Sequence, residues 1–579
     1  MLEGILNTKA KYKGYKLIRD GFLDTTSRLP EKVGFLEKRP GMDKFREITY
    51  KQFRDDVASV GAALIEELDL KGERIAVIGE NSYEWAASYY SVVCGAGIVV
   101  PLDKELPAEE VLNLLNRSHA KAIFYSPRKK DIIDAIRDRA TNIEAFIQLY
   151  ENENTIENKT EKDYTFEELA KVGYKYKEEV LFNEPIGEDE FRILLFTSGT
   201  TAQSKGVMLS NKNIMSNMKA ALEAVTLYED DRFFSVLPLH HTYEASIGMI
   251  IPISGGLSIG YAGGLKSIAT DIKELQPTVM LVVPALIESL IKKVNKNIDK
   301  QGKTKVVDVM SDVTNAFGKP GRSLKKIVFK DILAALGGKI RIIVSAAAPI
   351  DPLVGKRIED FGINFLQGYG LTETAPLATI VPEDKRNPAS VGKAGSCTKV
   401  KIDNPNEEGI GEVLIKGSNL MLGYYEDEEE TKKSIVKGWF HSGDLGYLDK
   451  DGYLFLTGRC KNLIITGNGK NVYPEEIETL VNQISYVNES MIYAKQDPRD
   501  EKELIIAVKV TLDTAFLDEK FGKNKYPSDE EMHKLIWEEI KEVNKKLPSY
   551  KWIKELEVKK EDFVKTTTMK IKRHEELKK

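Results

Sequence analysis

Cysteine is scarce in this chain: Cys94, Cys397 and Cys460 are the only three among 579 residues. Three scattered thiols cannot build a disulfide framework, and their spacing offers no CxxC metal knuckle. A reducing compartment, the cytoplasm, is the resulting expectation. A dominant charge is also lacking, since 84 Lys+Arg against 89 Asp+Glu leave a net charge of −5. A protein that coats nucleic acid is strongly basic, so no nucleic-acid partner is expected. The opening MLEGILNTKAKYKGYK lacks the charged-then-apolar order of a signal peptide. Long apolar runs are few. Residues 85–102 and 245–265 approach the ~20 residues that a membrane span needs. The second contains Pro252 and the Gly255-Gly256 pair, breaks that leave backbone groups unsatisfied in lipid. Both segments therefore read as buried α/β units, the first as a helix packed on a short strand closed by Pro101.

What is present is a soluble composition, 42% apolar and 30% charged, over a length that allows about four compact units. Short apolar runs alternate with amphipathic segments, the pattern of an α/β fold. RIAVIG (74–79), KAIFYS (121–126), RILLF (192–196) and RIIVS (341–345) read as buried strands. Thr49 with Gln52, Thr165 with Glu168, and Ser528 with Glu531 have the capping-box spacing of helix starts. Residues 151–190 are so polar that they read as a surface excursion between strands. Past residue 390 the strands shorten and alternate with Gly and Asp turns, which predicts a β-rich subdomain. The tail returns to α/β, with Met532, Leu535, Ile536, Ile540 and Val543 as one apolar stripe ending before Pro548. A domain boundary falls near Arg459–Lys461.

Three segments carry chemistry. In RILLFTSGTTAQSKGVMLSNKNI (192–214) a buried strand runs into Thr197, Ser198, Gly199, Thr200 and Thr201, followed by Lys205-Gly206. Small hydroxylated residues, approachable N–H groups and a compact cation suit a phosphate cradle. It is not a Walker A loop, because position 204 is Ser. In FLQGYGLTETAP (365–376), Gly368 and Gly370 flank Tyr369, a ring that can stack on a base, and Thr372-Glu373 are ligands suited to Mg²⁺. In 438–478, Asp444 lies in a Gly-bounded turn where a carboxylate can accept ribose hydroxyls, and Pro474 opens a helix. Cys460, between Arg459 and Lys461, is placed where cations lower a thiol pKa. Taken singly, each of these segments also reads as an ordinary polar loop or a capped turn.

In this order they resemble the adenylate-forming superfamily of acyl-CoA synthetases, luciferases and adenylation domains. The resemblance rests on TSGTTxxxKGV at 197–207, GYGxTE at 368–373, SGD at 442–444, GRxK at 458–461 and KTxxxK at 565–570. LPLHHTYE (237–244), QPTVMLVVPALIE (276–288) and the insert-like stretch 289–340 are similar to the long-chain fatty-acid CoA ligases. The resemblance implies an α/β protein with a large N-terminal AMP- and acyl-binding domain over 1–458, made of two α/β subdomains and a β-rich one. A hinge at 459–461 and a small mobile α+β domain over 462–579 complete it.

The resemblance further implies two half-reactions. A fatty carboxylate attacks the α-phosphorus of ATP, giving acyl-AMP and pyrophosphate, and the CoA thiol then displaces AMP. Residues Thr197, Ser198, Gly199, Thr200, Thr201 and Lys205 would hold the β- and γ-phosphates. Thr372 would touch the α-phosphate, Glu373 with Thr200 would ligate Mg²⁺, and Tyr369 between Gly368 and Gly370 would stack on adenine. Asp444 would hold the ribose with Arg459 nearby. Lys570 would bridge carboxylate and α-phosphate, with Lys572 as its rival in register. Lys461 would be the hinge, and Gly467, Gly469 and Lys470 of the GNGK turn would face the CoA path. His241 would stand at the acyl entrance. The 245–265 segment reads either as a wall of the acyl tunnel or as plain core. A sixteen-carbon chain carries about fourteen methylenes, worth up to roughly 11 kcal/mol gross at ~0.8 each.

The chain departs from the family pattern at Ala202, at Ala346-Ala347-Ala348 where a GGA run is common, and at Thr568-Met569 before the terminal lysine. Three alternatives remain open at this level. They are an acyl carrier protein as acceptor, acyl-AMP as the end product, and a degenerate member that binds acyl-adenylate or lipid without turnover. Peripheral contact with the inner face of a membrane is compatible with a lipid substrate. Monomer and homodimer are equally open.

Overall fold

A computed structural model of the chain describes residues 9–578 apart from 11, 40–41, 152–159, 198–203, 265, 317–318, 467–468, 498–499, 524 and 566–569. The side chains of 319–323 and 500–503 are also outside the described set. The chain falls into two compact units. The first comprises 1–347, 352–400 and 415–440; the second comprises 348–351, 401–414 and 441–579.

The first unit is built on two large sheets. One has eight strands in the order Gly423–Tyr424, Lys205–Ser210, Phe191–Thr197, Ile98–Leu102, Arg74–Ile78, Ala122–Tyr125, Ala145–Gln148, Asp163–Thr165. From Phe191–Thr197 onward the pairing is parallel, and the first two strands are antiparallel. The other has nine strands, with a parallel centre of Val33–Glu37, Ser258–Tyr261, Arg232–Ser235, Val279–Val282, Ile342–Ser345 and Asn364–Tyr369. Parallel strands buried on both faces need near-continuous apolar sequence. That is why RIAVIG, KAIFYS, RILLF and RIIVS were legible as strands.

Caps at helix starts follow their spacing. Thr49 Oγ1 accepts from Gln52 N (3.2 Å), and Thr165 and Glu168 form a reciprocal box at 2.9 and 3.2 Å. Polar 151–190 is more than an excursion. It adds the edge strand Asp163–Thr165 and the helices Phe166–Gly173 and Glu179–Phe182. Phe166, Leu169 and Leu181 are buried. Gly173 lies so close to the Tyr50–Glu66 helix that a Cβ would stand 1.9 Å from Ser59 O. Pro101 pairs with Val77 inside a strand rather than closing one. The registered pairing on that strand's other side is Val99 with Ile193, so the missing N–H breaks no partner there. Segment 245–265 is largely buried helix and strand, with Met249, Ile250 and Ile253 fully covered. Among the described residues no helix is long and apolar enough to cross a membrane.

Beyond residue 390 the strands Thr398–Asp403, Gly411–Gly417, Trp439–Leu448 and Leu454–Arg459 are separated by Gly and Asp turns, as expected. The second unit adds a three-stranded sheet of Val487–Asp497, Asp500–Leu512 and Ile553–Lys559, packed against the helices Pro474–Val481 and Asp529–Lys545. Ser528 and Glu531 cap the latter reciprocally at 3.0 and 3.3 Å. Its stripe is Met532, Ile536, Ile540 and Val543; Leu535 is 36% exposed and lies off it.

The first unit's core centres on Phe53, which is fully buried among Phe35 (4.7 Å between centroids), Phe22 (5.2 Å) and Tyr90 (5.3 Å). Phe53→Ala removes these contacts and leaves a cavity. It is expected to lower the stability of the first unit by about 3–5 kcal/mol, read from the shift in its urea midpoint.

Candidate active site

In the first unit, strand Phe191–Thr197 returns antiparallel as Lys205–Ser210, with Thr197 opposite Lys205 as the last pair. Thr197 Oγ1 donates to Lys205 O (3.4 Å). Ser198, Gly199, Thr200 and Thr201 belong to the connecting segment and lie outside the described residues. Lys205 Nζ pairs with the Glu430 carboxylate and stands 5.0 Å above the Tyr424 ring. The short strand Gly423–Tyr424 makes this possible by pairing Tyr424 with Val207. Tyr424 Oη donates to Glu373 Oε1 at 2.9 Å. Burial, then the charge of Glu373, pushes the Tyr424 phenol far above its ordinary pKa, so it remains a donor. Lys205 and Glu373, distant in sequence, thus share one aromatic neighbour.

Glu373 sits in a tight turn, Thr372–Thr374, that follows strand Asn364–Tyr369. Gly370 is required there, because a Cβ would stand 1.8 Å from Pro376 O. Thr374 Oγ1 accepts from Leu371 N (2.9 Å) and donates to Pro376 O (2.9 Å). Asn217 clamps the turn from outside, donating to Thr374 O (2.6 Å) and accepting from Leu377 N (3.0 Å). Met421 N donates to Glu373 O (2.9 Å). Tyr369 is 7% exposed, at the end of its strand beside Gly368.

His241 adjoins buried His240, their rings 4.1 Å apart. Burial holds the His240 imidazole well below its ordinary pKa, and His240 Nε2 lies 3.5 Å from Asp103 Oδ1. Glu244, one turn on, is 1% exposed, and burial pushes its carboxyl up to about 8 against a smaller pull from the Ser235 hydroxyl.

In the second unit, Asp444 is a residue of strand Trp439–Leu448 rather than of a turn. Gly443, at φ 68°, supplies the local bend. The Ser442 hydroxyl accepts from Asp444 N (3.1 Å) and donates to Val413 O (2.6 Å), which keeps the bend within the strand. Arg459 is the cross-strand partner of Asp444, and its Nε donates to Asp444 Oδ1 at 2.6 Å. Lys461 follows in the turn Cys460–Asn462. Its ammonium pKa is lowered, first by removal from water and then by Arg459, with Arg573 and Lys570 adding to the effect and Asp444 opposing it. The Cys460 thiol is pushed up, not down: partial burial, Glu412 and Asp444 outweigh Arg459.

Between strands Ile464–Ile465 and Asn471–Val472, Thr466 ties the GNGK turn by accepting from Lys470 N (3.1 Å). Gly469 takes φ 72° and Lys470 is exposed; Gly467 lies outside the described residues.

The tail that carries Lys570 is pinned on both sides. Before it, Lys565 pairs with Glu489 (2.5 Å), and Val564 N donates to buried Glu576 (2.8 Å). After it, Arg573 forks onto both oxygens of Glu478 (2.6 and 2.5 Å) and onto Ile492 O (2.8 Å). Lys572 pairs with Glu575 (3.1 Å), while Lys570 is exposed. Helix Pro474–Val481 also holds the Cys460–Asn462 turn, through Asn462 Nδ2 on Glu475 Oε1 (2.6 Å).

Tyr424, Glu430, Glu478 and Arg573 were not singled out from the sequence. A glycine before paired tyrosines was the sole signal for Tyr424, and Glu430 sat in an acidic run that reads as solvated.

Two large sheets in one unit and a small α+β unit after them define the fold of the adenylate-forming enzymes. The chain belongs to the AMP-binding enzyme family, which it matches over residues 24–425. It is 26% identical to rat long-chain-fatty-acid–CoA ligase 5, over 92% of this chain and 82% of the rat protein. It is 27% identical to fatty acyl-CoA synthetase B of Dictyostelium discoideum, over 84% and 76%. Among solved structures it is similar to the anthranilate CoA ligase AuaEII in complex with anthranoyl-AMP, with TM-score 0.75, 20% identity and 98% of each chain covered. It is also similar to ATP-bound MatB from Rhodopseudomonas palustris, with TM-score 0.72, 22% identity, and 96% and 97% covered.

Burial raises the Glu478 carboxyl to about 7, with Arg573 opposing. A carboxyl raised above its unfolded value gives stability that is full below about 4.5 and lost as pH rises through about 7. Arg573→Ala leaves that carboxylate buried and unpaired. It is expected to cost about 3–5 kcal/mol at pH 8 and less at pH 5, whereas Glu478→Gln flattens the dependence. Unfolding of the second unit followed across this pH range checks both.

Proposed function

We propose that this protein is an ATP-dependent acyl-CoA ligase that activates a long-chain fatty acid through acyl-AMP. The observation that carries the reading is the cluster of Lys205, Tyr424 and Glu373 at the start of strand Lys205–Ser210, in a member of the AMP-binding family. The names of the relatives support the substrate class.

In the first step a carboxylate oxygen attacks the α-phosphorus. An O–P bond forms there, the bond to the bridging oxygen breaks, and pyrophosphate leaves. In the second, the CoA sulfur attacks the acyl carbonyl, the C–S bond forms, AMP leaves, and the thiol proton passes to solvent. Two unit anions 4 Å apart repel by about 4 kcal/mol at an effective dielectric of 20, so cation placement is the main catalytic demand.

Lys205 and residues 197–201 take the β- and γ-phosphates, and Thr372 takes the α-phosphate. Tyr369 faces adenine, Asp444 takes the ribose with Arg459, and Lys570 takes the charge that develops at the α-phosphorus. Lys461 is the hinge of a domain beginning at 462, and Lys470 lies toward CoA. His241 stands at the acyl entrance. Glu373, a carboxylate oriented by the Tyr424 hydroxyl, fits a hard cation, and with Thr200 would hold Mg²⁺. The cation would supply charge neutralisation at the phosphates.

Lys570→Ala tests this assignment through the separate half-reactions. Pyrophosphate release is expected to fall by about two to three orders of magnitude, with thioester formation from supplied acyl-AMP largely kept. Equal loss of both contradicts the role. A panel of acids from acetate to stearate, with CoA or acyl carrier protein as acceptor, checks the substrate class. CoA consumption that rises toward the long acids is the expected result; preference for acetate, or turnover only with carrier protein, contradicts the reading.

A further inference from the structure

The insert-like stretch folds into the helices Pro284–Lys300, Thr304–Ala316, Lys319–Val328 and Lys330–Ala335. The second of these is turned the wrong way for a soluble protein. Val306 (58% exposed), Val309 (60%), Met310 and Val313 stand in water, spaced i, i+3, i+4, i+7 along one face. Val307, Ser311 and Thr314 on the other face are buried. The third helix repeats the arrangement: Leu324 and Ile327 (74% exposed) face solvent, while Lys325 is buried. Polar tethers fix this orientation against helix Pro352–Asp360. Lys325 Nζ donates to Asn315 Oδ1 (2.6 Å) and Glu359 O (2.7 Å), Asn315 Nδ2 to Asp360 Oδ1 (3.0 Å), and Arg357 Nη1 to Asp308 Oδ1 (2.8 Å).

Charge identifies what this face fits. Residues 292–330 hold eleven Lys/Arg against three Asp/Glu, in a chain of net charge −5. Lys303, Lys305, Lys326 and Lys330 are exposed, and Asp308, one of the three acids, is already held by Arg357. We propose that the Thr304–Ala316 and Lys319–Val328 helices form a docking face for an anionic lipid bilayer. Aliphatic side chains on one face with lysines at its flanks are the pattern of interfacial helices. A two-fold dimer through this face would lay the same cationic patch against itself. The stretch has no Trp or Tyr, the anchors on which protein interfaces rely, whereas a fluid bilayer accepts small aliphatic residues. The face is distinct from the proposed nucleotide site, and binding is scored without turnover, so a failed activity reading leaves this inference standing.

The test is flotation of the purified full-length chain with phosphatidylcholine vesicles, with and without phosphatidylglycerol, in low and high salt. The expected result is binding to the anionic vesicles that weakens at least about tenfold without phosphatidylglycerol or in high salt. Val309→Asp with Ile327→Asp, both exposed and outside the core, should lower partitioning by at least about tenfold at an unchanged melting temperature. Lys326→Glu with Lys330→Glu should abolish the preference for anionic lipid, and serves as the second variant. The inference is overturned if the parent does not float, or if both double variants float like the parent. It is equally overturned if sedimentation shows a dimer that the Asp pair dissociates while the parent leaves vesicles unbound.

Discussion

One strand pairing organises the candidate site of the first unit. Because Gly423–Tyr424 lies antiparallel on Lys205–Ser210, the Tyr424 ring is set beneath the Lys205 ammonium, and its hydroxyl meets the Glu373 carboxylate. Cation and carboxylate thereby meet the same phenol, one at its ring and the other at its hydroxyl. Glu430 takes the lysine in the meantime. In the proposed reaction a triphosphate would compete for that ammonium, and Glu373 would keep an orientation suited to a cation. The Thr372–Thr374 turn behind it is stiffened by Asn217 and by a glycine that no other residue can replace.

The second unit presents an exposed lysine, Lys570, between two sets of ion pairs. Arg573 and Glu478 close the tail from one side and Lys565 and Glu489 from the other. The helix carrying Glu478 also carries Glu475, which holds Asn462 in the turn containing Lys461. Desolvation, then Arg459, lowers the Lys461 ammonium pKa, with Arg573 and Lys570 adding to the effect and Asp444 opposing it.

Sequence reasoning reached what local chemistry dictates. Apolar runs marked the buried parallel strands, and a hydroxyl followed three residues later by Gln or Glu marked the helix starts at Thr49, Thr165 and Ser528. It fell short where tertiary pairing decides. Nothing near Tyr424 announces that its strand will cover Lys205, and the acidic run around Glu430 reads as solvent-facing. Residues 151–190 read as a polar surface excursion, yet Phe166, Leu169 and Leu181 are buried in two short helices there. Asp444 was expected in a turn because glycine precedes it, but a serine hydroxyl absorbs the bend and the strand continues. Cys460 lies between cations in sequence, while in space partial burial, then Glu412 and Asp444, outweighs Arg459.

The most direct measurement is carboxylate-dependent exchange of pyrophosphate into ATP with magnesium and no CoA, because it isolates the chemistry assigned to the Lys205–Tyr424–Glu373 cluster. The account predicts exchange that requires a fatty acid and falls by about two to three orders of magnitude in Lys205→Ala. No exchange with any fatty acid, or exchange that Lys205→Ala leaves unchanged, would contradict it.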